Sequence, residues 1–148
     1  MKARPLLVSL TYGSGPIRKH PRMRMSLYLS GILLDDSATA GGTVALEERG
    51  FAEFAIGSGQ LAELVRTLES AGFPERLPVV RETIDTSDSW GTVLLYVSLD
   101  GFAQTLSFSL LSSGFEGPDS QALHRFFEVL LSAAGVRDDS IWSALAGG

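Results

Sequence analysis

Apolar and polar residues alternate most plainly over 22–30. Met23, Met25, Leu27 and Leu29 fall on one side, and Arg22, Arg24, Ser26, Tyr28 and Ser30 on the other. A period of two is the mark of a β-strand with one buried face. Leu6, Val8 and Leu10 predict a shorter strand before it, with Tyr12-Gly13-Ser14-Gly15-Pro16 as the following turn. Residues 35–42, rich in Asp, Ala and Gly, read as a loop. Two further strands are predicted over 43–48 and 51–56, around an Arg49-Gly50 turn.

The period then changes. Leu61, Leu64, Val65 and Leu68 recur at i, i+3, i+4 and i+7, which makes one apolar stripe on a helix. Ser58 or Gly59 is placed to cap its start, Gly72 supplies a left-handed exit, and Pro74 prevents continuation. Residues 79–85 predict a strand that runs into a polar loop. Residues 92–99 and 102–110 predict a hairpin, because Asp100-Gly101 suits a two-residue type I′ turn with both residues at positive φ. Val93, Leu95, Val97 and Leu99 share one side of its first arm. Phe102, Leu106, Phe108 and Leu110 share the matching side of the second, interrupted by Gln104. A second helix carries Leu123, Phe126, Phe127, Leu130 and Ala134, with Asp119 or Ser120 as cap and Gly135 as exit. Asp138-Asp139-Ser140 caps a short terminal helix with Ile141, Trp142 and Leu145.

The predicted order is ββββ-α-βββ-α-α. Runs of strands rather than strict alternation point to α+β, here a single domain over 1–148. The expected architecture is a mainly antiparallel sheet of about seven strands with the helices packed on one face. Its other face is left to serine, threonine and tyrosine in water. Gly50-Phe51-Ala52-Glu53 and Gly101-Phe102-Ala103-Gln104 echo one another ahead of the two helices, and shared strand–helix punctuation accounts for the echo.

Composition narrows the picture. With 148 residues, 45% apolar and 20% charged, the chain is no disordered segment and needs neither disulfide nor metal to hold a core. Apolar runs reach only about five residues, so no membrane helix is expected. The stretch after Met1-Lys2-Ala3-Arg4-Pro5 reads as a first strand, not a signal peptide, which with the absence of cysteine makes the cytoplasm the default. Ten arginines against two lysines suggest a GC-rich bacterial genome. The net charge of −5 is unevenly spread. Six basic residues and no acid lie within 1–24, whereas the rest carries six arginines and seventeen acids.

Candidate chemistry is sparse. Only two histidines, His20 and His124, are available as candidate bases, and both read as surface residues. Asp85, Ser87, Asp88 and Ser89 depart from the calcium-loop spacing and read as a turn closed by local hydrogen bonds. Gly57-Ser58-Gly59 lacks the P-loop lysine and reads as a tight strand-to-helix connection. No metal and no cofactor is expected. Two features stand out as partner-binding candidates. One is the basic segment with Arg18, Lys19, Arg22 and Arg24, joined by Tyr28 on the same strand face. The other is a pair of aromatics placed in predicted loops, Trp90 and Phe115.

The strand–helix–hairpin–helix order over 43–135, with Leu61-Ala62-Glu63-Leu64 and Ala71-Gly72-Phe73-Pro74, resembles small bacterial proteins of the emfourin type. That resemblance implies a protease inhibitor that binds a metallopeptidase without catalysing a reaction, and it transfers no inhibitory residue. The first functional expectation is therefore a non-catalytic interaction module, whether adaptor, inhibitor or immunity-like protein, whose partner is another protein. The alternative is a nucleic-acid-binding accessory protein using 18–24, against which the acidic remainder of the chain works. A small-molecule-binding protein or enzyme is the third, and it requires a pocket where His124 meets a carboxylate.

Overall fold

The computed structural model describes residues 3–14, 24–34, 38–46, 50–73, 75, 89–111 and 117–136. Among them are six strands and two helices: β1 (Arg4–Ser14), β2 (Arg24–Leu33), β3 (Ala38–Leu46), β4 (Gly50–Ile56), α1 (Ser58–Ser70), β5 (Ser89–Leu99), β6 (Phe102–Leu111) and α2 (Ser120–Ala133). The fold is α+β, with one antiparallel sheet in the order β4-β3-β2-β1-β5-β6. The predicted strand over 79–85 and the short helix after Asp138 lie outside the described residues.

The register explains the core. Leu6, Val8 and Leu10 of β1 stand level with Leu29 and Leu27 of β2 and with Val97, Leu95 and Leu99 of β5, and all are buried. Both helices lie on this side. Leu61, Leu64, Val65 and Leu68 of α1, with Leu123, Phe126, Phe127 and Leu130 of α2, close the same apolar cluster. Phe126 meets Phe127 edge-on, and Phe127 tilts against Phe108 of β6. Both predicted left-handed exits are present, at Gly72 (φ 92°) and Gly135 (φ 72°). Past each exit the amide bonds back into the last turn, Phe73 to the Leu68 carbonyl and Val136 to the Leu131 carbonyl.

Four expectations are corrected. Residues 38–42 are not loop but the first half of β3, where Ala40, Gly41 and Gly42 are small enough to fit between their neighbours. A Cβ on Gly31 would sit 2.5 Å from Ala40 Cβ and 3.3 Å from Leu61, so small residues here let α1 approach the sheet. Tyr12, Gly13 and Ser14 continue β1 rather than turning, the first two paired to both β2 and β5 and Ser14 to β5. Trp90 is not in a loop: Ser89 and Trp90 open β5 through a register shift against β6. The cap of α1 is Gly57, not Ser58 or Gly59, and its amide donates to Gln60 Oε1 at 3.4 Å. Asp119 does stand at the N-cap of α2.

The hairpin turn carries a long-range polar clip to β1. Asp100 and Gly101 have φ of 56° and 87°, as the turn type requires. The Asp100 amide donates to the Pro5 carbonyl at 3.1 Å, and the Arg4 guanidinium donates to both Asp100 carboxylate oxygens, at best 2.7 Å. Arg4 also reaches Glu69 at the end of α1. The Asp100 hydrogen bonds hold the Arg4 guanidinium above its usual range. One arginine thus ties together β1, the hairpin and α1.

Candidate functional site

The sheet buries only one of its faces. On β2 burial alternates strictly, with Arg24, Ser26, Tyr28, Ser30 and Ile32 exposed and Met25, Leu27 and Leu29 buried. On β5 the same parity exposes Thr92, Leu94 and Tyr96. Register joins these into rows. Ser9 of β1 stands between Tyr28 on β2 and Tyr96 on β5, and Thr11 stands between Ser26 and Leu94. Thr43 and Thr105 continue the tyrosine row outward.

This open face is unlike a routine solvated surface. Tyr28 is 48% exposed, Tyr96 38%, Leu94 45% and Ile32 46%, with small residues between them. Charge is nearly missing: among the described residues of this face only Arg24 and Glu53 carry any, and Glu53 sits on the edge strand β4. Large apolar or amphipathic side chains grouped on a face with few charges mark binding surfaces. Phe51 on β4 and Phe102 beside the hairpin turn are more exposed still, but both lie at the sheet's margins.

Of the predicted partner-binding residues, Arg24 and Tyr28 do share this face. Arg18, Lys19, Arg22 and Phe115 lie outside the described residues, and for Trp90 only the backbone is described. Tyr96, Leu94 and Ile32 were missed by sequence reasoning. For Leu94 and Tyr96 the signal lies in the alternation of the hairpin's first arm, whereas Ile32 falls beyond the strand predicted over 22–30.

Among the described residues the helix side offers no comparable chemistry. A wide groove of about 390 Å³ between α1 and α2 is lined by Gln60, Glu63, Arg125 and Glu128 among others, and it is open to solvent. Its charges satisfy one another: Arg125 donates to Glu63 at 3.1 Å and to Glu128 at 3.0 Å, and Arg66 also pairs with Glu63. Those carboxylates, Glu63 first, hold the Arg125 guanidinium above its ordinary range. His124 is not among the groove's lining residues. An apolar gap of about 10 Å³ beside Phe73 and Leu123 has room for one water molecule at most. Among the described residues no three His, Asp or Glu side chains group to hold a metal, and no helix is long and apolar enough to cross a membrane.

Comparison of the chain with protein-family models, with curated proteins and with solved structures found no match.

Proposed function

We propose that the protein is a non-catalytic interaction module that binds another protein through the open face of its sheet. One observation carries this reading: Tyr28, Tyr96, Leu94 and Ile32 are exposed together on a regular, almost uncharged surface. Tyrosine suits such a role, since it contributes a large contact area with a polar end and little rotamer entropy to lose. Adaptor, inhibitor and immunity-like roles are all forms of this reading, and the inhibitor form is the one the emfourin resemblance implies.

A paired capture tests it. Bait carrying the native face and bait carrying Tyr28→Lys and Tyr96→Lys, matched for far-UV circular dichroism, are exposed to the same native lysate. The reading expects a protein, a second copy of this chain included, to be retained by the first bait and lost from the second. Identical retention by both defeats it.

A second reading has its own support. Arg24 and Tyr28 stand on one face with Tyr96 beyond, an arrangement that can contact a phosphate and stack bases. Anisotropy of a fluorescent single-stranded oligonucleotide at low salt checks it, and an unchanged signal rules it out.

A further inference from the structure

We infer that a second copy of this chain covers the open face, forming a two-fold dimer packed sheet against sheet. This rests on the open face being a binding surface and names its occupant.

The strand order carries the first argument. In β4-β3-β2-β1-β5-β6, β1 is the middle of the five strands from β3 to β6, and β4 is an overhang. A two-fold axis running along β1 exchanges β2 with β5 and β3 with β6. Each of the five strands then faces a strand of the second copy, and contacts come in reciprocal pairs. Because Ser9 pairs with Tyr28 on one side and Tyr96 on the other, Tyr28 of each copy meets Tyr96 of the other.

Charge points the same way. Gly13 pairs with both Arg24 and Thr92, so the axis brings Arg24 opposite a threonine and never opposite itself. Glu53 lies on β4, outside the overlap. A chain of net charge −5 therefore meets its copy across an area whose described residues are nearly neutral and place no like charges directly opposite one another. A strongly charged partner finds no matching patch among the described residues of this face.

Area is sufficient. Five strands about 4.8 Å apart, over nine residues of β1 at about 3.4 Å each, span roughly 24 by 30 Å, or roughly 700 Å² per copy. A standard specific interface buries about 600–1,000 Å² on each partner. Ser9, Ser26, Ser30 and Ser98 leave room between the larger side chains for the sheets to approach about 10 Å, the usual face-to-face spacing.

Sedimentation velocity of the whole chain between about 1 and 100 μM, where interfaces of ordinary strength assemble, is the test. A dimer is expected. Tyr28→Lys and Tyr96→Lys should each weaken it by about tenfold or more without altering the circular dichroism, while Phe51→Lys on the overhanging strand should leave it unchanged. Mixing a chain carrying Tyr28→Lys with one carrying Tyr96→Glu should restore association, because one contact becomes Lys with Glu and the other stays Tyr with Tyr. A monomer at every concentration overturns the inference. So does a dimer that survives both lysines, or one broken by Phe51→Lys alone. If the monomer still retains a lysate protein that the double variant loses, the dimer fails and the interaction module stands. If it binds oligonucleotide through this face instead, both fail.

Discussion

Asp100 shows how one residue can serve two ends. Its backbone sits at φ 56°, a conformation that costs most side chains about 1–2 kcal/mol, and its carboxylate takes the Arg4 guanidinium. The two contributions are separable. Asp100→Ala loses both, and should lower stability by about 2 kcal/mol once the partly exposed ion pair is discounted for solvent screening. Asp100→Gly keeps the backbone at ease and loses only the carboxylate, for a cost of less than about 1 kcal/mol. Urea midpoints of the two variants measure the difference; equal losses would assign the whole effect to the ion pair. The turn was legible from Asp100-Gly101 alone because its requirement is local. Arg4 was not legible as its partner, since 96 residues separate them and only the folded sheet brings them together.

At the scale of the element, local rules were reliable where the chain punctuates itself. Both helices give way to the glycines singled out as exits, and their buried faces contain the predicted stripes, widened by Thr67 in α1 and by Val129 and Leu131 in α2. Strand β3 escaped the same logic. Gly41 and Gly42 look like loop residues until their neighbours in β2 and β4 are known. A Cβ on Gly42 would stand 2.0 Å from the Tyr28 carbonyl oxygen and 2.8 Å from the Phe54 ring, so the strand is threaded through a gap that admits nothing larger. Gly42→Ala should therefore cost about 1–3 kcal/mol or more, and a Phe54→Ala background should not restore it, because the closer obstacle is backbone. Gly59, near the start of α1, meets nothing within 4 Å. There alanine should add about 0.4–1 kcal/mol by restricting the unfolded chain. Thermal melts of the two alanine variants moving in opposite directions would confirm the contrast.

The whole molecule is where sequence reading reached least far. Alternation assigned Tyr28 to an exposed side, yet nothing in the order of residues said that β5 returns to pair with β1 and sets Tyr96 two strands away. The open face is a product of strand order. Its scarcity of charge leads to a prediction about salt. Association through this face should change by less than about threefold between about 50 and 500 mM NaCl, whereas contacts to phosphates would weaken steeply over the same range. Repeating the sedimentation series at both ionic strengths decides between them. The central position of β1 also bears on how the chain is made. β1 emerges from the ribosome well before the strand that completes it, since Leu6 awaits Leu99 and Tyr12 awaits Val93. At about 5–20 residues per second, one margin of β1 stays unpaired for several seconds of synthesis. A strand flanked on both sides in the finished sheet is thus the one whose second edge waits longest for its partner, and translation slowed between β4 and β5 should raise the yield of aggregated chain.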